Sequence, residues 1–86
     1  MYFAYIMRCA DGTLYTGYTD DRARLEAMHN SGRGAKYTRS RLPVKMVYHE
    51  SFATRSEAMK RECAIKRLSR EQKLKLIAEH TKAGQE

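Results

Sequence analysis

The sequence predicts a small α+β domain: a three-stranded antiparallel sheet with flanking helices, in the order ββαβαα. Two stretches rich in Tyr, Thr and apolar residues flank an Asp-Gly turn, a third alternating stretch follows a proline, and two capping boxes mark helices in the second half. With 86 residues and a usual domain size of about 100 to 150 residues, there is room for one small domain. We expect it to span residues 1–80, with a frayed tail over 81–86.

The first strand runs from Tyr2 to Cys9 and the second from Thr13 to Thr19, with Asp11-Gly12 between them. Two registers compete. A two-residue loop would pair Tyr5 with Tyr18 and put Tyr5 and Tyr15 on opposite faces. A three-residue loop, Ala10-Asp11-Gly12 with Gly12 left-handed, pairs Cys9 with Thr13, Met7 with Tyr15 and Tyr5 with Gly17. The longer loop is the standard geometry for x-Asp-Gly and is favoured. It sets Tyr5 and Tyr15 on one face as diagonal neighbours, with open space over Gly17. Gly12 and Gly17 are therefore the structural turn and strand glycines; ordinary aromatic packing is the alternative use of the tyrosine pair.

Asp20 or Asp21 caps a helix reaching about His29, with Leu25 and Met28 apolar, and Asn30-Ser31-Gly32-Arg33-Gly34 ends it in a flexible basic loop. Val44 to Glu50 reads as the third strand, with Val44, Met46 and Tyr48 on one face and His49 outward. Thr54 with Glu57 opens a helix through Leu68 that turns Ala58, Cys63, Ile65 and Leu68 to the sheet. Ser69 with Gln72 opens the last helix, carrying Leu74, Ile77 and Ala78.

Seventeen Lys and Arg against ten Asp and Glu give a net charge of +7. Residues 1–32 sum to −1, residues 33–75 to +9 and residues 76–86 to −1. A patch so concentrated suits phosphate-backbone binding through counterion release, and Gly32 and Gly34 let backbone N–H groups approach phosphates. The competing reading is a solvated basic surface, with Lys60, Arg61, Arg67 and Lys73 on outer helix faces. Cys9 and Cys63 make no disulfide framework and have no zinc spacing, so both are expected as buried thiols in a reducing compartment. No basic leader and no long apolar run is visible, and the expected location is cytoplasmic without membrane contact.

Phe3-Ala4-Tyr5, then Tyr15-Thr16-Gly17, Thr19, a helix with Arg and His29, the loop HNSGRGAKYTR and the stretch SEAMKRECAIKRLSREQK together resemble the GIY-YIG nuclease family. The loop and the second helix are similar to the small stand-alone bacterial members, of the UPF0213-like type, and the resemblance covers roughly residues 2 to 78. It implies an endonuclease that hydrolyses phosphodiester bonds in DNA with a divalent metal, Mg²⁺ or Mn²⁺, in DNA repair or processing. It further implies that Tyr5 and Tyr15 line the site, one of them as general base or proton relay, that Glu62 binds the metal, and that Gly17 is the motif glycine. The helix after the hairpin should supply an Arg that stabilises phosphate charge, and His29.

Here the chain departs from the family pattern. Leu25, not Arg, stands four residues before His29, and Arg24 is rotated about 140° from His29 on an ideal helix, whereas Arg22 shares the His29 face two turns away. A cap shift or bulge re-aims Arg24, or Arg22 reaches in, or the arginine role is weakened; Arg24 is the assigned residue. Phosphate contacts are assigned to Arg33, Lys36, Tyr37, Arg39, Arg41, Arg61 and Lys66, with packing as the other use of Tyr37.

The chemistry is consistent from first principles. A phenol with a pKa of about 10 is ionised roughly once in a thousand at pH 7, so a basic neighbourhood or a metal must assist it. A hard Mg²⁺ ion needs only one protein carboxylate, because water and substrate phosphate complete its shell. Glu62 has a plainer alternative as an ion-pair partner of Lys66 at i+4. The partner implied is nucleic acid, with specificity from its shape, from oligomerisation or from a protein partner, on a monomer or weak oligomer. A non-catalytic nucleic-acid-binding module on the same fold is the second reading.

Overall fold

The hairpin is closed by the longer loop. In the computed structural model, which describes residues 1–34 and 36–83, Gly12 has φ +85°, the Cys9 N–H donates to the Thr13 carbonyl and the Gly12 N–H to the Cys9 carbonyl, each at 2.9 Å. Asp11 Oδ1 accepts from the Thr13 N–H and hydroxyl at 3.0 and 2.6 Å, fixing the turn locally. Strands β1 (Tyr2–Arg8) and β2 (Leu14–Thr19) then pair with Tyr5 opposite Gly17 and Met7 opposite Tyr15.

The remaining elements are α1 (Arg22–Asn30), a short α2 (Lys36–Arg39), β3 (Lys45–Phe52), α3 (Arg55–Lys66) and α4 (Arg70–Ala83). The sheet is antiparallel in the order β2-β1-β3, so β1 is central. Helix α2 lies in what reads from sequence as a loop. The expected ββαβαα order otherwise holds.

Because β1 is covered on both faces, Ala4, Tyr5, Ile6 and Met7 are all buried. Ala4 and Ile6 join Tyr48 and Ile65 in one cluster, on which Leu76 and Ile77 of α4 also pack. Tyr5 and Met7 join Cys9 and Val44 in the other, which Tyr15 and Leu25 flank. Strand alternation thus divides one strand between a helix-packed core and a face that carries tyrosines.

Strand β3 does not keep the expected alternation. Ile6 pairs with Tyr48 but Met7 with Met46, so Val47 is an extra residue in a β-bulge. The bulge reverses the sides: Met46 packs with Val44 on the Tyr5 face, while Tyr48 is buried on the Ala4 face. The displaced Met46 N–H donates to Glu26 Oε2 of α1 at 2.7 Å. His49, expected to point outward, is half-buried against Phe3 and His80, with ring centroids 6.3 and 4.7 Å away.

Both capping boxes form. Thr54 and Glu57 bond reciprocally at the start of α3; the Ser69 N–H donates to Gln72 Oε1 at 2.9 Å and the Gln72 N–H to Ser69 Oγ at 3.2 Å before α4. Asp21 is the cap of α1. Helix α3 ends at Lys66 with Arg67 as its cap, short of Leu68. Ala58 and Ile65, seven residues apart and hence on one line, face the sheet, whereas Cys63 is rotated about 140° from Ala58 and is exposed. Only Cys9 is a buried thiol. On α4, Leu76 and Ile77 pack inward while Leu74 and Ala78 are exposed. This helix runs past residue 80 to Ala83, and residues 84–86 of the expected frayed tail lie outside the described residues. Among the described residues no helix is long and apolar enough to cross a membrane.

Candidate active site

The site begins with a missing side chain. Gly17 lies opposite Tyr5, and a Cβ there would fall on the Tyr5 hydroxyl and within 2.8 Å of Cζ. The Tyr5 ring therefore lies across β2 with 3% of its surface exposed. Tyr15, one diagonal away, has its ring centroid 6.4 Å from that of Tyr5, at an interplanar angle of 41°.

Two further rings extend the cluster. Tyr15 is 5.8 Å from His29 and stacks on Tyr37 at 5.8 Å with an interplanar angle of 26°. His29 is buried near the end of α1, its Nδ1 2.7 Å from Thr38 Oγ1 of α2. Gly34 makes this closeness possible: a Cβ there would overlap the His29 ring, 2.7 Å from Cε1. Asn30 anchors the same helix end to Val44, the residue before β3, by accepting from its N–H at 2.7 Å and donating to its carbonyl at 3.0 Å.

Glu62 reaches this cluster from α3. It lies four residues after Ala58 and three before Ile65, on the side of the helix that meets the sheet, with its side chain 16% exposed. Burial raises the Tyr5 pKa far above the ordinary phenol value, and the neighbouring Tyr15 and the Glu62 carboxylate raise it further. Tyr5 is consequently a neutral hydrogen-bond donor across the whole physiological range. Glu62 also pairs with Lys66 Nζ at 3.5 Å, so the plainer use foreseen for it coexists with its place beside the tyrosines. Burial holds His29 below the usual imidazole range and favours its neutral form.

The arginines sort differently. Helix α1 is continuous from Arg22 to Asn30, with no bulge that would re-aim Arg24. Leu25 takes the position one turn before His29 and packs on the Tyr5 cluster, leaving Arg24 exposed. The Arg22 guanidinium lies 4.9 Å over the Phe3 ring, toward β3. Among the described residues, the guanidinium stacked onto the aromatic cluster is that of Arg41, 4.1 Å over Tyr37. Arg41 also donates to the Tyr37 carbonyl at 2.7 Å and pairs with Asp11 at 3.1 Å, which ties α2 to the hairpin turn.

Of the assigned phosphate contacts, Arg33, Lys36 and Arg39 are exposed around the cluster and Tyr37 is 40% exposed. Arg61 is engaged by Glu50 at 3.0 Å, Lys66 by Glu62 and Arg41 by Asp11. Thr38 and Asn30 are the members that sequence reasoning missed, and neither carried a signal; Leu25 packs as the apolar helix position expected from the sequence.

Residues 1–75 match the model of the GIY-YIG catalytic domain. A UPF0213 protein of Staphylococcus saprophyticus is 55% identical over 78 residues, spanning 91% of this chain and 95% of its own. The solution structure of a UPF0213 protein from Bacillus halodurans is 46% identical, with a TM-score of 0.57 over 91% of this chain and 84% of that one. A protein from E. faecalis, also solved in solution, is 43% identical with a TM-score of 0.58 over 93% and 86% of the respective chains. Since the matched stretch takes in the whole sheet, the tyrosine pair and the helix bearing Glu62, the chain belongs to the GIY-YIG nuclease superfamily, among its UPF0213 members.

Proposed function

We propose that this protein is a metal-dependent endonuclease that hydrolyses phosphodiester bonds in DNA, with Tyr5, Tyr15 and Glu62 at its centre. The observation that carries the reading is the convergence of two phenols and one carboxylate from three separate elements, β1, β2 and α3, on one spot. Tyr5, which holds its proton firmly, donates a hydrogen bond to a phosphate oxygen. Tyr15, beside the neutral His29, is the path by which the proton of the attacking water leaves. Arg33, Lys36 and Arg39 hold the backbone, with the half-exposed Tyr37 beside them bound into the cluster through Tyr15 and Arg41.

The donor set fits a hard divalent ion. Among the described residues no three His, Cys, Asp or Glu side chains cluster to cage a metal, and Glu62 offers the single carboxylate that Mg²⁺ or Mn²⁺ accepts when water and substrate phosphate fill its other positions. Such an ion, when bound, polarises the scissile phosphate and neutralises charge in the transition state. Arg24 completes the set only by reaching in from its exposed place on α1 when substrate binds. Its position also favours a second reading, a nucleic-acid-binding module on the same fold that does not turn over. Incision during DNA repair or processing in the cytoplasm, with specificity from DNA shape, self-association or a partner protein, is the setting the first reading implies.

The test is incubation of purified protein with labelled duplex, branched and single-stranded DNA, with and without Mg²⁺, beside Glu62→Gln. Cleavage that needs both metal and Glu62 supports the nuclease. Equal nicking by both proteins marks a contaminant, and metal-independent retention of uncut DNA selects the binding module.

A further inference from the structure

A second depression opens at the β3 edge of the sheet, on the far side of α1 from the tyrosines. Leu25 of α1 packs toward Tyr5, whereas Arg22 and Glu26 line a cleft of about 770 Å³ together with Arg8, Lys45, His49 and His80. That volume lies within the range of about 300 to 1,000 Å³ common for small-ligand sites. Its apolar lining comes from Met46 and Val47 of β3 and Ile77 of α4.

The charge of this cleft is predominantly of one sign. Arg8, Arg22 and Lys45 bring three cations, and among the described residues the carboxylate lining it, Glu26, is engaged by the Met46 N–H at 2.7 Å, where it secures the bulge. The His49 and His80 rings meet at 4.7 Å and 74°, one from the sheet and one from α4. Burial, then Arg22 and His80, hold His49 below the usual imidazole range, and its ring, with the His80 ring edge-on to it, lies beside these cations. A planar base beside rings and a phosphate beside a guanidinium and an ammonium are the two halves of a nucleotide.

We propose that the cleft between α1, β3 and α4 binds a nucleotide unit, with its phosphate on Arg22 and Lys45 and its base against His49 and His80. This site is separate from the proposed cleavage centre and stands whether or not that centre turns over. The unit is either a free nucleotide or one nucleotide of a strand, and the two sources are separable by experiment.

The test is a chemical-shift titration of isotope-labelled protein with deoxyadenosine monophosphate and, separately, with a single strand of about ten nucleotides, within the usual footprint of single-strand sites. We expect His49 and His80 ring signals to move, and the apparent Kd to rise about tenfold or more in Arg22→Ala/Lys45→Ala, as loss of charge-assisted contacts predicts. Both residues are exposed, so the variant keeps its fold. Movement with the mononucleotide assigns a free-nucleotide site; movement with the strand alone assigns a strand contact. Overturning results are unmoved His49 and His80 signals with both probes, or equal affinity in the double variant.

Discussion

The two faces of the central sheet are built from alternate residues of the same strand and do opposite work. On one, Ala4 and Ile6 disappear beneath Ile65, Leu76 and Ile77, and nothing chemical is left over. On the other, Tyr5 and Met7 pack with Val44, Leu25 and Met46, and the rings of Tyr15, His29 and Tyr37 extend from Tyr5 across that face. The helix-packed face supports and the thinly covered face presents. Helix α3 joins the two, because Ile65 anchors it in the core while Glu62, one turn earlier, carries a carboxylate to the tyrosines.

That division can be broken one residue at a time. Glu62→Gln is expected to lower the cleavage rate by about 10² to 10³ while shifting stability by no more than about 0.5 kcal/mol, since the Lys66 pair it loses is a helical i,i+4 contact with an exposed lysine; single-turnover cleavage beside urea denaturation separates the two effects. Ile65→Ala should reverse the pattern, costing about 2 to 5 kcal/mol in urea denaturation and leaving the rate per folded molecule close to that of the parent. Gly17→Ala strikes the tyrosine face through one atom, because its Cβ would clash with the Tyr5 hydroxyl and ring. We expect about 1 to 3 kcal/mol of destabilisation, together with displaced Tyr5 ring resonances.

The smallest effect is a pH dependence with a defined sign. His29 and His49 both titrate below the ordinary imidazole value of about 6.5 when folded, so the unfolded chain binds protons first as pH falls. Their contribution to stability is present above about pH 6.5 and is lost as pH drops through the folded values. Thermal unfolding should show Tm falling on acidification through this window, with His29→Gln and His49→Gln each flattening the slope.

What was legible in the sequence had local causes. Ala10-Asp11-Gly12 and Gly17 specify a hairpin register through turn chemistry and a vacant Cβ, and the capping boxes at Thr54 and Ser69 act within four residues. The resemblance to GIY-YIG nucleases named the tyrosine pair and Glu62; the fold sets the two rings 6.4 Å apart, and the roles given to the three residues belong to the proposal. The bulge at Val47 escaped, because the run from Val44 to Glu50 alternates well and only its pairing with β1 makes one residue supernumerary. His29 meeting Thr38, and Arg41 rather than Arg24 stacking on the cluster, are long-range outcomes of how α1 and α2 dock. Periodicity carries no record of such contacts.

The central claim is that Tyr5, Tyr15 and Glu62 share one metal-binding spot, and paramagnetic broadening by Mn²⁺ tests it most directly. In isotope-labelled protein, low Mn²⁺ should broaden signals of Glu62 and of the Tyr5 and Tyr15 rings first, spare Leu76 and Ile77 on the opposite face, and lose this selectivity in Glu62→Gln. Broadening that leaves both tyrosine rings sharp, or that persists unchanged in Glu62→Gln, would contradict the account.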